Sequence, residues 1–271
     1  MSSSKQRNST GPWKAHQVRA GTRYELSNGH KVYCAPTGGD GARGTGAGFE
    51  VLDTDPAVES SGIDAGYSPR PKTLRAPDIA VGNVPDQPGW IEGVPPLAVE
   101  YASVGQDEAE LQDKIRELLA AGTQLIWVVR LTGPRRVEVH QRDAPTRTLG
   151  PGQQLVAPGI LRNPVPVEAM YDRNVAHELT LRNLLQRRGY ETLDAVREEA
   201  HRKGHRKGHR KGHREGHREG RAQAVVDVLR ARGLTVDASS KQRILAEEDP
   251  TVLDRWIARA VTVDHASDLF D

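Results

Sequence analysis

The segment LAVEYASVGQDEAELQDKIRELLAAGTQLIWVVRL, residues 97–131, determines the fold class of this 271-residue chain. Its first six residues are largely apolar, carry one acid, Glu100, and predict a short strand. Apolar residues then recur every three or four positions over 107–121, as on one face of an amphipathic helix, and Gly122 follows as a helix C-cap. Residues 124–131 are almost entirely apolar, which is typical of a buried strand.

The flanking sequence adds strands on both sides of this unit. Residues 136–140 alternate after a Gly-Pro turn and predict a hairpin partner for the second strand. Residues 76–82 predict a further short strand, which carries one acid, Asp78. Strand-forming residues around an Asn-Gly pair over 22–34 predict a β-hairpin. The glycine-rich residues 37–48 lack hydrophobic periodicity, so we expect a loop there. The middle of the chain therefore predicts an α/β core.

The chain becomes helical from about residue 174. Two helices are predicted over 175–188 and 191–200, and three short helices are predicted closer to the C-terminus, over 222–232, 239–247 and 250–261. Between these groups, residues 201–220 form a strict tetrapeptide repeat, HRKGHRKGHRKGHREGHREG. We therefore expect an all-helical C-terminal region that contains a charged repeat.

The composition excludes several classes of protein. No run approaches the roughly 20 apolar residues of a membrane span, and residues 1–10 lack the apolar stretch of a secretory signal. Cys34 is the only cysteine, which excludes an internal disulfide and a cysteine-based zinc site. Aromatic residues make up only 4% of the chain, which argues against work that depends on stacking many bases. These features predict a cytosolic protein without a membrane segment.

The formal net charge of +2 hides an uneven distribution. Residues 201–220 contain eight Arg or Lys and two Glu, a net charge of +6, so the other 251 residues sum to −4. One short segment therefore carries the positive field, and the main body is not a basic nucleic-acid-binding domain by composition.

Asp78, Glu100 and Lys114 form the sharpest candidate site. Burying a lone strand acid without a partner is costly, whereas two acids on neighbouring strands can share Mg²⁺, which prefers hard oxygen ligands. Lys114 lies at the border of the apolar helix face, so its side chain can reach the sheet, where it can orient or deprotonate a metal-bound water and offset charge that develops on phosphorus. The alternative interpretations are solvent-facing strand acids and a lysine that extends along the surface.

Five stretches in a fixed order extend this pattern: Tyr24-Glu25-Leu26 with Asn28-Gly29, residues 75–81 (RAPDIAV), residues 95–100 (PPLAVE) with Ser103, Asp113-Lys114, and Ala121-Gly122 running into residues 126–129 (IWVV). In their order and spacing they resemble the Uma-two (Uma2) family of endonucleases, which belongs to the restriction-endonuclease-like, PD-(D/E)XK superfamily. The resemblance covers about residues 22–190. It implies a mixed sheet flanked by helices and Mg²⁺-dependent hydrolysis of phosphodiester bonds in DNA, with Mn²⁺ able to substitute.

The resemblance also implies roles for individual residues. Asp78 and Glu100 match the two acids that bind the metal. The lysine usual in the superfamily, two residues after the second acid, is replaced by Ala102, and Lys114 matches the displaced lysine that the family carries on the following helix.

Two further positions are candidate additions to this site. Glu25 matches an early acid of the family. Tyr101 stands where a small aliphatic residue is expected, so its backbone carbonyl is a candidate ligand while its bulk is expected to affect the pocket.

The repeat at 201–220 has three interpretations. It can be a solvated, partly helical spacer, a basic arm that binds phosphates, or a helix that forms oligomers or binds metal through its histidines, which lie four residues apart. The residues that carry the basic-arm interpretation are Arg202, Lys203, Arg206, Lys207, Arg210 and Lys211. The repeat and the tail after it also loosely resemble the C-terminal ends of transposase-associated, recombination-promoting nucleases.

The sequence thus predicts five parts and two functions. The parts are a flexible leader (1–14), a restriction-endonuclease-like domain (15–172), a helical extension (173–200), the repeat (201–220) and a small helical region (221–271). The first function is a Mg²⁺-dependent DNA endonuclease. The second is a catalytically inactive protein of the same fold that binds DNA or assembles into homo-oligomers through its C-terminal helices.

Overall fold

The computed structural model describes residues 11–270. These residues form two compact units, the first ending at Leu193 and the second beginning at Asp194. The first ten residues of the predicted leader lie outside the described part of the chain. Within the rest of that leader, the backbone N–H of Trp13 donates to the carbonyl of Gly29 at 2.8 Å.

The first unit contains twelve strands among the described residues, several of them only two or three residues long. The strands are β1 Tyr24–Ser27, β2 His30–Tyr33, β3 Ser61–Ile63, β4 Tyr67–Arg70, β5 Thr73–Arg75, β6 Ile79–Val81, β7 Leu97–Ala102, β8 Leu125–Arg130, β9 Arg136–Gln141, β10 Arg147–Leu149, β11 Gln154–Leu155 and β12 Val165–Pro166. The α-helices of the chain are α1 Gly39–Thr54, α2 Glu108–Ala121, α3 Arg173–Arg187, α4 Leu193–Ala231, α5 Ala238–Ala246 and α6 Pro250–Ala260.

A six-stranded mixed sheet, ordered β10-β9-β8-β7-β6-β3, forms the centre of the first unit. β7 and β8 are parallel, whereas the other neighbouring pairs are antiparallel. A parallel pair needs a crossover connection, and α2 supplies it. This topology confirms the predicted strand–helix–strand unit and the hairpin partner β9. A second sheet, β2-β1-β5-β4, contains the predicted hairpin, whose Asn28 and Gly29 have φ of 48° and 83°, as a tight turn requires.

α2 covers one face of the central sheet. The carboxylate of Asp107 accepts the backbone N–H of Glu110 at 3.2 Å and so caps the first turn. Gly122, with φ of 123°, ends the helix as predicted. The apolar face of α2 is buried against Ala98, Ala102, Ile126 and Val128 of the sheet, so the helix and the two strands beneath it share one core.

The structure corrects the prediction of a loop over 37–48, because α1 begins at Gly39 and covers the opposite face of the sheet. Gly44 and Gly48 of this helix lie against the ring of Tyr101. A Cβ at Gly44 would lie 2.8 Å from a ring carbon, and a Cβ at Gly48 would overlap the hydroxyl. Glycine costs a helix about 1 kcal/mol relative to alanine, but here the missing side chains make room for a buried aromatic ring.

This fit predicts that Gly48→Ala destabilises the first unit by about 1–3 kcal/mol, the usual cost of overpacking. In a Tyr101→Phe background the same substitution costs less, because the hydroxyl that meets the new methyl group is gone. Gly46 is the matched control, since a Cβ there meets nothing within 4 Å. Gly46→Ala is expected to add about 0.5–1 kcal/mol of stability. Urea unfolding of the wild type, the Tyr101→Phe protein and the three alanine variants measures these differences, and equal effects at both glycines would contradict the account.

The second unit is all-helical among its described residues, as predicted. α4 continues without a break through the repeat, so the residues predicted as separate helices before and after it belong to one 39-residue helix. Its last turns bury Ala222, Val225, Val226 and Leu229 against α5 and α6. In the part of the chain that the structure describes, 11–270, no helix combines the length and the apolar composition that a bilayer span requires.

Candidate active site

Three acids lie in one row across neighbouring strands of the central sheet. Ile79 of β6 pairs with Val99 of β7, so one step further along the antiparallel pair Asp78 lies beside Glu100. β3 and β6 pair Ile63 with Ile79, so by the same step Asp64 lies beside Asp78. Residues opposite each other in antiparallel strands have Cα atoms about 4.5–5.5 Å apart and share a face.

The row changes from buried to exposed across the sheet. Glu100 is 6% exposed, Asp78 is partly buried, and Asp64 is exposed. Asp78 immediately precedes β6 rather than lying within it, and its Oδ2 accepts the backbone N–H of Tyr101 at 2.6 Å. This hydrogen bond holds the Asp78 carboxylate next to the backbone of Glu100.

Lys114 reaches the same place from α2. Its Nζ lies 2.8 Å from Oε1 and 3.0 Å from Oε2 of Glu100, and 3.1 Å from Oε1 of Glu25. It also donates to the carbonyl of Ala76 at 2.7 Å. The structure therefore brings together the side chains of Glu100, Lys114 and Glu25, with Asp78 adjacent.

The side chain of Tyr101 lies on the other face of the sheet. Its hydroxyl donates to the carbonyl of Met170 at 2.8 Å, and its ring packs against the glycines of α1. The expected effect of its bulk therefore falls on α1, while its backbone N–H contacts Asp78 on the site face.

Burial and mutual repulsion shift the pKa values of the acids. Burial raises the pKa of Glu100 to about 8. The positive charge of Lys114 opposes this shift, whereas the negative charges of Asp78 and Glu25 add to it. Burial likewise raises the pKa of Asp78, where Asp64 adds repulsion. Although Asp64 is the most exposed of the three acids, its carboxylate is partly desolvated, and this raises its pKa together with the charge of Glu25.

The cations and acids of the site favour each other's charged forms, which shifts the pKa values of Glu25 and Lys114. Burial alone would raise the pKa of Glu25, but the charges of Lys114 and Arg75 outweigh it and lower that pKa. Burial also opposes the charged form of Lys114, yet Glu100, Glu25 and Asp78 together raise its pKa. Lys114 therefore acts as a fixed positive charge rather than as a proton acceptor.

Arg75 supports this arrangement from β5. Its guanidinium is fully buried and forms ion pairs with Glu25 at 3.1 Å, Glu110 at 2.7 Å and Glu117 at 2.7 Å. Ser27 of β1 donates to Glu117 at 2.6 Å. The network ties the second sheet to α2 and orients Glu25 toward Lys114.

Sequence reasoning missed Asp64 and gave no role to Arg75. The signal for Asp64 was an acid directly after the short run Ser61–Ile63, but a three-residue strand is too short to show alternation. The signal for Arg75 was an arginine two residues before Pro77 and three before Asp78, in a stretch already noted for its resemblance to the family. Only the register of the strands shows that both belong to this region.

The oxygen atoms of the site fit a hard divalent cation. Four acids (Glu25, Asp64, Asp78 and Glu100) interact with Lys114, and with Arg75 on Glu25 they outnumber the cations of the site. Oε1 of Glu100 is buried, forms the 2.8 Å ion pair with Lys114 and accepts no hydrogen bond from the described residues. An oxygen with unused lone-pair capacity fits a cation bound beside the lysine. Within residues 11–270, no three His, Cys, Asp or Glu side chains form a group that could by itself hold a metal ion.

The six basic residues predicted to contact DNA all lie on α4 in the second unit, and their side chains are exposed. Lys203 forms an ion pair with Glu199 at 2.5 Å. The other described cations of the repeat extend from the same helix, so the +6 charge is displayed along about 30 Å of helix axis.

Comparison with known proteins places the first unit in a family. The model of the Uma2 family, described as "Putative restriction endonuclease", matches residues 13–165, more than half of the chain. This chain therefore belongs to the Uma2 family. The match confirms the resemblance carried by the sequence motifs and, with it, the restriction-endonuclease-like α/β fold class.

Among solved structures, the chain is similar to a crystal structure described as a "putative nuclease" from Anabaena variabilis. The two share 15% sequence identity, with a TM-score of 0.48, and the similarity covers 56% of this chain and 90% of the other. No curated protein matches the sequence.

Proposed function

We propose that this chain is a metal-dependent endonuclease that hydrolyses phosphodiester bonds in DNA. The observation that carries the proposal is the contact of the Lys114 ammonium with Glu100, 2.8 Å from Oε1, beside Asp78 on the neighbouring strand. Membership of a family described as a restriction endonuclease supports the same activity.

In this proposal Asp78 and Glu100 hold Mg²⁺, for which Mn²⁺ can substitute. The cation, when bound, polarises a phosphoryl oxygen and makes a water a stronger nucleophile. Lys114 orients the attacking water through its fixed ammonium and faces the negative charge that develops on the phosphoryl group. Asp64, at the exposed end of the row, lies where substrate and solvent enter, and Glu25 keeps the lysine in place.

The divalent-cation requirement is the first test. The purified full chain is incubated with supercoiled plasmid in Mg²⁺, in Mn²⁺, in Ca²⁺ and in EDTA. Nicked or linear product is expected in Mg²⁺ and Mn²⁺ and not in EDTA. Equal cleavage in EDTA would contradict the proposal. Full DNA binding without cleavage in either metal would favour the alternative, an inactive DNA-binding or assembly module.

We further propose that the repeat adds sequence-independent affinity for DNA. Six basic side chains, Arg202, Lys203, Arg206, Lys207, Arg210 and Lys211, extend from α4. Each phosphate contact that releases a counterion contributes about 0.9 to the slope of log K against log salt concentration.

Replacing these six residues with glutamine is therefore expected to weaken binding to non-cognate duplex DNA at 50 mM salt by at least about tenfold and to reduce the salt slope. The matched control replaces Lys203, Lys207 and Lys211 with arginine and keeps the charge, so its salt slope stays unchanged. Fluorescence anisotropy over a salt series measures both. An unchanged slope in the glutamine variant would show that the repeat does not bind the phosphates.

The cytosolic location and the homo-oligomer stay predictions.

A further inference from the structure

One pair of histidines in the repeat stands apart from the others. On α4, the Nε2 atoms of His213 and His217 are 3.2 Å apart, and their ring centroids are 4.3 Å apart. The preceding pair, His209 and His213, has centroids 6.4 Å apart. Both rings of the close pair are exposed, so their nitrogen atoms are open to a ligand from solvent.

The distance between the two nitrogens fits one tetrahedral cation. With Zn–N bonds of 2.0–2.1 Å and tetrahedral angles, two ligating nitrogens lie about 3.3 Å apart. We propose that His213 and His217 form a bidentate site for Zn²⁺ or a similar borderline transition-metal ion, with solvent in the remaining positions. Binding requires that the nitrogen that donates in this contact moves its proton to Nδ1 and that the two exposed rings turn until both Nε2 lone pairs face the ion.

The surroundings leave room for a hydrated ion. A shallow groove of about 450 Å³ adjoins the pair, and its lining includes Gly216, Gly220, Ala224 and Ile257. A Cβ at either glycine would meet nothing within 4 Å, so the glycines keep the approach open rather than serving close packing.

The charged neighbours of the pair are partly neutralised. Lys211 lies 3.7 Å from Glu215, and Arg221, which also lines the groove, lies 3.0 Å from Asp254. These ion pairs reduce the repulsion that a basic repeat exerts on an incoming cation.

Binding at this pair is linked to the order of the helix. Residues four apart meet only when the segment is helical, and the five glycines of the repeat (204, 208, 212, 216 and 220) weaken that helix without any compensating contact. A ligand that binds only the helical form stabilises it by mass action. Zn²⁺ is therefore expected to increase the helicity of the repeat.

The test is a calorimetric titration of the full chain with Zn²⁺ in excess Mg²⁺, which occupies any carboxylate site. The variant His213→Asn/His217→Asn is compared with the control His201→Asn/His205→Asn, which removes a pair at the same spacing. The first variant is expected to lose at least tenfold in Zn²⁺ affinity and to lose the Zn²⁺-induced gain in ellipticity at 222 nm. The control and the wild type keep both.

Equal losses in the two variants would overturn the assignment to this pair, and so would the absence of Zn²⁺ binding by the wild type. The outcome is independent of the nuclease proposal, because neither histidine belongs to the first unit.

Discussion

Asp78→Asn is expected to lower the rate of Mg²⁺-dependent DNA cleavage by about 10³-fold or more, as losses of essential catalytic groups do. The asparagine amide oxygen can still accept the backbone N–H of Tyr101, which Asp78 accepts at 2.6 Å, so the local fold is preserved. In the proposed mechanism, the substitution removes the negative charge with which Asp78 would hold the cation beside Glu100. Initial rates of plasmid nicking, normalised to protein concentration, measure the loss.

Thermal unfolding separates this loss from misfolding. The melting temperature of the Asp78→Asn protein without added metal is expected to equal or exceed that of the wild type, since burial disfavours the charged Asp78 carboxylate despite the attraction of Lys114, and Asp64 and Glu25 add repulsion. Asp86, an exposed acid between β6 and β7, is the matched control, and Asp86→Asn keeps full activity. Retention of cleavage by the Asp78 variant would place the active site elsewhere.

Arg75→Met is expected to destabilise the first unit by about 3–5 kcal/mol, the usual cost of breaking a buried ion-pair network by removing one partner. The fully buried guanidinium pairs with Glu25, Glu110 and Glu117. Methionine fills part of the volume but leaves these carboxylates without their shared cation. Urea unfolding followed by tryptophan fluorescence measures the free energy of unfolding.

The control for Arg75 is another arginine that pairs with an acid. Arg116 on α2 pairs with Asp113, but its side chain is 73% exposed, and exposed pairs contribute about 0–1 kcal/mol. Arg116→Met is therefore expected to change stability by less than about 0.5 kcal/mol. A loss at Arg75 no larger than the loss at Arg116 would show that the network does not support the site.

Local sequence patterns were sufficient for the central part of the fold. The strand–helix–strand unit follows from the apolar spacing over 97–131, and the hairpin follows from Asn28-Gly29. α1 could not be predicted in the same way, because its glycines lower the local helix propensity while the contact that compensates, with Tyr101, comes from 53 to 57 positions further along the chain. The repeat is comparable: its glycines favoured a partly helical spacer, whereas α4 continues through it.

The candidate site was predictable to a similar degree. The acids Asp78 and Glu100 and the lysine were identified from strand and helix positions together with the resemblance to the family. Their convergence depends on the register that pairs Ile79 with Val99, and a strand of three residues does not specify its register from sequence alone. For the same reason Asp64 was missed, since its place in the row follows only from the pairing of β3 with β6.

The most direct measurement of the central claim is nicking of supercoiled plasmid in Mg²⁺ by the wild type and by Glu100→Gln, Lys114→Met and Asp86→Asn, purified in parallel and confirmed as folded by circular dichroism. The account predicts nicking by the wild type and the Asp86 variant, and a loss of at least about 10²-fold in each of the other two. Undiminished nicking by the Glu100 and Lys114 variants would contradict it.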